Sequence, residues 1–191
     1  MERIGLFGGS FNPVHFGHLL IVKAALEELA LSQLFLIPAA QSPFKPELTL
    51  ASAGERIRML RLALAGQTRC HVDEQEIARG GISYSIDTVR EYAARFPGAE
   101  LWYVIGADHS CLLPKWRSAD ELSRLVQFAV VPRPGENVDC LPEGFRGRQL
   151  GGWPLELSAS QIRERVRSKL SIDWLVPASV AEAIRNNGLY L

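Results

Sequence analysis

The stretch GGSFNPVHFGH, from Gly8 to His18, decides the fold because it joins a short strand to a long helix. The run Arg3–Phe7 before it has the composition of a β-strand, and apolar residues over Leu19–Leu29 predict a largely buried helix after it. Glycine at a strand exit lets the backbone turn tightly and bring its N–H groups close to a ligand. Because unpaired N–H groups at a helix start stabilise an anion, the segment indicates a phosphate site.

His15 and His18 stand three residues apart at the start of this helix, a spacing that projects both imidazoles to one face. The glycines alone are weak evidence, since they match neither the dinucleotide-binding nor the P-loop spacing. A histidine pair can also be structural or bind a metal ion, but no Cys, Asp or Glu stands beside it in this segment. Phosphate contact is therefore the favoured interpretation of the pair.

Length, composition and charge indicate one globular chain that binds a small molecule. The 191 residues are 47% hydrophobic, and 21 cationic side chains balance 21 anionic ones, so no overall field favours nucleic acid or an acidic membrane. Three cysteines without a C-x-x-C pair argue against a disulfide framework and against a structural zinc site. With no secretory signal pattern and no apolar stretch of about 20 residues, we expect a cytoplasmic protein with reduced thiols. The sequence leaves the oligomeric state open, and a homo-oligomer is one of the alternatives.

Strand-like and helix-like segments alternate along the chain, which is typical of βαβ units. Pro132–Gly152 is interpreted as a surface connection, because it is rich in Pro and Gly. Beyond the first strand and helix, the predicted strands are Leu34–Pro38, Cys70–Val72, Leu101–Ile105, Val126–Val131 and Trp153–Leu157. The predicted helices are about Ala53–Ala65, Ser85–Phe96 with Ser83 or Ser85 as N-cap, Ala119–Leu125, Ser160–Lys169 and Pro177–Asn187.

These elements predict an α/β fold, a Rossmann-like doubly wound parallel sheet with helices on both faces and a small C-terminal helical segment at about 158–191. We expect a single domain over residues 1–191. Ligands of such sheets bind at the carboxyl ends of strands, near the point where strand order reverses. The strand ends after Phe7, Ile105 and Leu157 are the candidate positions.

Two segments far apart in the chain carry a family resemblance. HFGH, from His15 to His18, resembles the H-x-G-H element of the nucleotidyltransferases related to class I aminoacyl-tRNA synthetases, in which the histidines contact ATP phosphates. LSASQIR, from Leu157 to Arg163, resembles the second element of that superfamily, I-S-[SA]-T-x-I-R. On the residues alone, Ser158 or Ser160 is a helix cap, and Arg163 is either a phosphate ligand or a solvated helix residue.

The middle and the end of the chain contain five further motifs: GISYSIDTV at Gly81–Val89, VIGAD at Val104–Asp108, LPKW at Leu113–Trp116, PRPG at Pro132–Gly135 and LVPASVAEAIRNNGLY at Leu175–Tyr190. Together they resemble one branch of the superfamily, the bacterial nicotinate mononucleotide adenylyltransferases. The resemblance implies transfer of an adenylyl group from ATP to nicotinate mononucleotide, giving nicotinate adenine dinucleotide and pyrophosphate in NAD biosynthesis. A sister adenylyltransferase for phosphopantetheine or nicotinamide mononucleotide stays open, as does a non-catalytic nucleotide-binding module.

The resemblance also implies roles for individual residues. Backbone N–H groups near Tyr84 and Ser85 would receive the nicotinate carboxylate, Trp116 would stack on the pyridine ring, and Mg²⁺ would enter with ATP without a dedicated protein metal site. The implied catalytic residues are His15, His18 and Arg163. The implied ATP-binding residues are Gly8, Gly9, Ser10, Phe11, His15, His18, Gly106, Asp108, Ser158, Ser160, Ile162 and Arg163. The implied nicotinate-nucleotide-binding residues are Ser10, Lys45, Tyr84, Ser85, Trp116 and Arg133.

Several of these residues also have an ordinary structural interpretation. Trp116 could be an anchor in its loop, Asp108 a cap, and Lys45 and Arg133 solvated surface cations. Outside the implied site, His71 and His109 are interpreted as structural or surface residues, and Trp102, Trp153 and Trp174 as core or boundary residues. The chain departs from the family pattern at Ser10, Asn12, Phe44, Ser85 and Ser160, and Phe44 replaces a histidine common in that loop.

Overall fold

The fold is built on a parallel sheet, as the alternating segments predict. A computed structural model describes residues 1–44, 50–132 and 141–191. In these residues the sheet has six strands in the order β3-β2-β1-β4-β5-β6, and every pair is parallel. The strands are β1 (Arg3–Gly9), β2 (Gln33–Pro38), β3 (Cys70–Val72), β4 (Glu100–Gly106), β5 (Gln127–Val131) and β6 (Gly147–Gln149).

Helices connect the strands and cover both faces of the sheet. Those of nine or more residues are α1 (Phe16–Glu28), α2 (Ala53–Ala63), α4 (Ser85–Arg95), α7 (Ala159–Arg167) and α8 (Ala178–Asn186). The shorter ones are α3 (Gln75–Arg79), α5 (Ala107–Ser110), α6 (Ala119–Leu125) and a 3-10 turn at Leu113–Lys115. None of the helices in the described ranges is long and apolar enough to cross a membrane.

The central strands divide their side chains between two cores, one on each face of the sheet. In β2, Leu34 and Leu36 pack with α1, α2, α7 and α8, whereas Phe35 and Ile37 face the core under α4 and α6. Trp102 and Tyr103 of β4 divide in the same way. Both faces are buried, and this is why these strands appear in the sequence as continuous apolar runs rather than as alternating ones.

Two predictions about the later elements are wrong. Trp153–Leu157 is irregular and largely exposed, so it is not the last strand; that strand is β6, inside the stretch interpreted as a surface connection. β6 is exposed at all three residues and pairs with β5 through backbone hydrogen bonds, so no hydrophobic pattern marks it. The N-cap of α4 is Tyr84 rather than Ser83 or Ser85, because Ser83 accepts a bond from Ala40 N and Ser85 is already helical.

The point at which strand order reverses lies between β1 and β4. From β1 the chain winds outward through β2 and β3 in one direction and through β4, β5 and β6 in the other. The carboxyl ends of β1 and β4, at Gly9 and Gly106, therefore lie side by side. Helix α5 begins directly after β4, and α1 begins at Phe16, after the turn that follows β1. This is the position at which open α/β sheets bind ligands.

Candidate active site

A cavity of about 750 Å³ opens at this reversal point. It is bounded by the turn after β1, by the start of α1, by the ends of β4 and β5, and by the segment that leads into α7. The predicted site residues that line it are Gly8, Gly9, Ser10, Phe11, His15, His18, Ser85, Gly106, Asp108, Trp116, Ser158, Ser160 and Arg163. Residues from both ends of the chain therefore meet in one cavity of the size that nucleotide ligands need.

The turn after β1 is formed differently from the prediction. Gly8 and Gly9 still belong to β1 and are extended, whereas Phe11 adopts the left-handed conformation, with φ of 45°, and is 1% exposed. The ring of Phe11 packs edge-on against Phe7 and His18, at centroid distances of 5.5 and 5.0 Å. A buried aromatic side chain, rather than a flexible glycine, therefore holds the turn in place.

His15 and His18 stack on each other at the start of α1, with ring centroids 3.8 Å apart. His15 is the N-cap, and its backbone N–H donates to Nδ1 of His18 at 3.3 Å. Gly17 makes room for this pair, because a Cβ there would lie 2.9 Å from Nδ1 of His15. The glycine of the HFGH motif is thus required by the close approach of the first imidazole.

Both histidines are neutral at neutral pH. Burial lowers the pKa of His15 from 6.5 to about 4, and burial together with the neighbouring His15 holds the pKa of His18 well below 6.5. Since Nδ1 of His18 accepts from the backbone, its proton lies on Nε2, which makes Nε2–H a donor. In the described residues Nδ1 of His15 has no hydrogen-bond partner. The pair therefore offers neutral N–H donors to an anion.

The free energy of unfolding should fall as pH drops below about 6.5. The folded protein resists protonation of His15 until about pH 4, whereas the unfolded chain binds that proton near pH 6.5. Between these values the unfolded state holds more protons, so each such histidine contributes a loss of up to about 1.4 kcal/mol per pH unit. Urea unfolding at pH 7, 6 and 5 measures this slope.

The variant His15→Asn should have a shallower slope over that pH range, because it lacks the imidazole whose pKa is lowered by burial. Equal slopes for wild-type protein and His15→Asn would contradict the assignment.

The start of α7 forms the opposite wall of the cavity. Oγ of Ser158 accepts from the backbone N–H of Gln161 at 3.2 Å, and the side chain of Gln161 accepts from the N–H of Ser158 at 2.7 Å, so a capping box closes the helix start. Ser158 is thus confirmed as the N-cap. Arg163 is 8% exposed and donates to the backbone carbonyl of Asn12 at 2.8 Å and to Oγ of Ser160 at 3.0 Å. It joins the two walls and is not a solvated helix residue.

A second buried arginine, which the sequence analysis missed, donates hydrogen bonds to the backbone of the turn after β1. Arg56 is 2% exposed and donates to the carbonyl oxygens of Ser10, Ala39 and Ala51 at 2.9, 2.8 and 3.2 Å. Among the described residues no carboxylate forms an ion pair with it, and the three carbonyl oxygens accept from its guanidinium group. The charge pattern of an amphipathic helix gives no sign that one arginine of α2 is buried.

Asn12 receives support from the C-terminus as well. Its Oδ1 accepts from Oη of Tyr190 at 2.9 Å and from the backbone N–H of Ala51 at 3.0 Å. An aspartate at this position, which is common in the family, would offer the same acceptor. The departure at Asn12 therefore keeps the contact that fixes the turn. Tyr190 ends the quoted motif Leu175–Tyr190, but the sequence analysis gave it no role in the site.

The other end of the cavity is aromatic. Trp116 contacts Phe44, Tyr103 and His109, with ring centroids 5.7 to 6.2 Å apart, and its Nε1 has no partner in the described part of the chain. Phe44 thus packs as an aromatic wall where the family often has a histidine. His109 lines the cavity, so its interpretation as a structural or surface residue is incomplete.

Ser85 borders this aromatic end, whereas Tyr84 does not line the cavity. The ring of Tyr84 lies against the guanidinium of Arg117 at 4.6 Å, and no described side chain caps the first N–H groups of α4. Glu76 of α3, absent from the sequence analysis, also lines this end and is 4% exposed. It accepts from Oγ1 of Thr88 at 2.6 Å, and burial raises the pKa of its carboxyl group.

A further predicted residue, Ile162, is not brought to the cavity. Ile162 is fully buried in the core, and its backbone N–H donates to Ser158 within α7, so it offers no group to a ligand. Lys45 and Arg133 lie outside the described residues. By contrast Trp153, which was interpreted as a core or boundary residue, is 54% exposed at the cavity, and Trp174 is 91% exposed.

The described lining of the cavity combines imidazole, guanidinium and hydroxyl groups, which are donors suited to phosphate oxygens. Across residues 1–44, 50–132 and 141–191, no group of three or more His, Cys, Asp or Glu could hold a metal ion. Asp108, at the end of β4, is an acidic side chain of the cavity wall near the reversal point. Mg²⁺ that enters with a polyphosphate is usually held by one or two carboxylates together with substrate oxygens and water.

Comparisons with known proteins agree with this geometry. Residues 6–168 match the cytidylyltransferase-like family model. A probable nicotinate-nucleotide adenylyltransferase of Opitutus terrae is 40% identical over 98% of this chain and 97% of its own length, and one of Geobacillus kaustophilus is 40% identical over 100% and 87%. Among solved structures, nicotinic acid mononucleotide adenylyltransferase of Plasmodium falciparum complexed with NaAD has a TM-score of 0.83 at 15% identity, covering 100% and 98% of the two chains. The chain belongs to the nicotinate-nucleotide adenylyltransferase family.

Proposed function

We propose that this protein transfers the adenylyl group of ATP to nicotinate mononucleotide, releasing pyrophosphate and forming nicotinate adenine dinucleotide. The observation that carries the proposal is the meeting of the His15–His18 pair with Arg163 in one cavity at the strand-order reversal. The relatives named nicotinate-nucleotide adenylyltransferase, and neighbours solved with NaAD and with APC, support the same activity.

The reaction needs no protein nucleophile. An oxygen of the mononucleotide phosphate attacks the α-phosphorus of ATP, the bond from that phosphorus to the α,β-bridging oxygen breaks, and pyrophosphate leaves with the electron pair. A phosphate monoester has a second pKa of about 6, so the attacking group is largely ionised at neutral pH. The protein then contributes by orienting the two substrates and by stabilising charge on the phosphoryl oxygens.

In this proposal the two walls of the cavity hold the triphosphate. Neutral N–H groups of His15 and His18 donate from the start of α1, and Arg163 supplies a fixed cation from α7. Ser10, Ser158 and Ser160 add hydroxyl groups, and Gly106 and Asp108 face the adenosine. Mg²⁺ would enter with ATP and would supply positive charge that offsets the negative charge of the leaving pyrophosphate.

A pyrophosphate-release assay tests the proposal. The protein is mixed with ATP, Mg²⁺ and one acceptor at a time: nicotinate mononucleotide, nicotinamide mononucleotide or phosphopantetheine. We expect fast release with the first acceptor. Release only with phosphopantetheine would identify a sister adenylyltransferase, and no release with any acceptor would identify a non-catalytic nucleotide-binding protein.

The acid should be preferred over the amide as substrate. We propose that the uncapped N–H groups at the start of α4, beside Ser85, receive the nicotinate carboxylate. A nicotinamide group would turn its own N–H donors toward these donors, leaving them unsatisfied at about 1 to 3 kcal/mol, or a preference of about 5- to 150-fold. The ratio of kcat/KM for the two mononucleotides measures it, and equal values would refute this site for the carboxylate.

A further inference from the structure

Tyr103 contacts Ser85 and lies close to the backbone of Gly8, so it lies next to both α4 and β1. It lies in β4, is 6% exposed and lines the cavity. Its Oη donates to Oγ of Ser85, the first residue of α4, at 2.9 Å. Its ring is held edge-on by Trp116 and tilted against Phe128, at centroid distances of 6.1 and 6.3 Å. The phenol therefore has a fixed position directly behind the start of α4.

The hydrogen bond sets the direction of the Ser85 hydroxyl. A serine hydroxyl has one proton to donate and two lone pairs that accept. Because Oγ of Ser85 accepts from Tyr103, its own proton is left to donate elsewhere, and Ser85 lines the cavity. Burial raises the pKa of Tyr103, so its hydroxyl remains a donor throughout the working pH range. Ser85 is thereby held as a donor toward the cavity.

Gly8 is part of the same arrangement. A Cβ at Gly8 would lie 2.7 Å from Oη of Tyr103, and the next atom of that side chain is 3.7 Å away. The missing side chain at Gly8 therefore makes room for this one hydroxyl group. At this position the glycine accommodates Tyr103 and does not form the turn.

We propose that Tyr103 is a positioning residue for the pyridine carboxylate, which acts by fixing the Ser85 hydroxyl as a donor to that group. The proposal rests on the proposed function, because the carboxylate belongs to nicotinate mononucleotide. Ser85, the group on which Tyr103 acts, stands at the start of α4, whereas His15, His18 and Arg163 stand at the start of α1 and on α7. Removal of the Tyr103 hydroxyl should consequently weaken use of the mononucleotide and leave use of ATP unchanged.

Tyr103→Phe, which removes a single oxygen atom, is the test variant, and Tyr92→Phe is its matched control. Tyr92 belongs to the same core and donates to Oδ2 of Asp73 at 2.6 Å, but it does not line the cavity. For Tyr103→Phe we expect KM for nicotinate mononucleotide to rise about 3- to 10-fold, with KM for ATP within about 2-fold of wild type and a smaller acid-over-amide preference. Tyr92→Phe should lower Tm without changing either KM.

Two double variants extend the test. Tyr103→Phe combined with Ser85→Ala should raise KM for the mononucleotide no more than Ser85→Ala alone. Tyr103 acts through the Ser85 hydroxyl, so its loss has no further effect once that hydroxyl is absent. Gly8→Ala should lower Tm in the wild-type background and much less in the Tyr103→Phe background, where the nearest contact becomes an ordinary 3.7 Å.

The proposal is overturned if Tyr103→Phe leaves KM for the mononucleotide unchanged, raises both KM values equally, or adds fully to Ser85→Ala. The outcome is separable from failure of the proposed function. Suppose that wild-type protein releases no pyrophosphate from ATP in the presence of nicotinate mononucleotide, and that the mononucleotide alone does not raise its Tm. The proposed function then fails, and the role of Tyr103 fails with it. If wild-type protein is active and Tyr103→Phe behaves like Tyr92→Phe, only the role of Tyr103 is lost.

Discussion

His18→Ala should lower kcat by about 100- to 1000-fold, the range found when one preorganised donor to a developing anionic charge is removed. The backbone N–H of His15 holds Nδ1 of His18, so the proton on Nε2 is directed away from the helix start as a donor. Alanine removes this donor together with one contact at the helix start, which costs about 1 kcal/mol of stability. We therefore expect a folded protein with very low turnover.

His71→Ala is the control for this variant. It removes an imidazole from β3, at the edge of the sheet and outside the cavity, where the ring lies against Phe35. It should keep kcat close to the wild-type value. A near-normal kcat for His18→Ala, with pyrophosphate release as the readout, would remove His18 from the catalytic residues.

Arg163→Ala is the second variant with a large expected effect. The guanidinium bonds Asn12 O and Oγ of Ser160, and we propose that its remaining N–H groups bind phosphate oxygens. Its loss should lower kcat/KM for ATP by about 100- to 1000-fold. Arg163→Lys keeps the charge but not the planar set of donors, so we expect a loss of about 10- to 100-fold.

Arg167→Ala provides the comparison for both changes. Arg167 is on the same helix but exposed, and it contacts Glu164 on the outer surface. Its kcat/KM should be within about 2-fold of wild type, because exposed ion pairs contribute little. If Arg163→Lys were as active as wild-type protein, a point charge would suffice, and the proposed binding of phosphate oxygens by the planar set of N–H donors would be wrong.

The central strands were predictable because their physical signal lies in the sequence itself. β1, β2 and β4 are buried on both faces, so each appears as an uninterrupted apolar run that ends at Gly or Pro. The opposite holds for β6, which contains Gly147, Arg148 and Gln149, all exposed. It joins the sheet through main-chain bonds, which carry no side-chain signature.

The error at Trp153–Leu157 has a related cause. An apolar run usually packs in a core, but this run lies at the edge of the cavity, where Trp153 and Leu155 are 54% and 46% exposed. Hydrophobic periodicity distinguishes apolar segments from polar ones, but it does not tell whether an apolar segment lies in a core or in the wall of a cavity. The wrong strand assignment therefore falls on a segment of the candidate site.

The candidate site could be predicted only where a motif marks it. His15, His18, Ser158 and Arg163 stand in two quoted motifs, and all four line the cavity. Arg56, Glu76 and Tyr103 carry no motif, because their importance comes from long-range contacts such as Arg56 to Ser10 and Tyr103 to Ser85. These contacts depend on how helices α2 and α4 pack on the sheet, and packing of this kind is not encoded in local sequence spacing.

The most direct test of the account follows the α-phosphate of ATP. ATP labelled at the α-phosphate is incubated with the protein, Mg²⁺ and nicotinate mononucleotide, and the products are separated. We predict that the label appears in nicotinate adenine dinucleotide, at a rate equal to the release of unlabelled pyrophosphate, and that His18→Ala abolishes most of both. Label that remains in ATP, or appears in free AMP without a dinucleotide, would contradict adenylyl transfer by this protein.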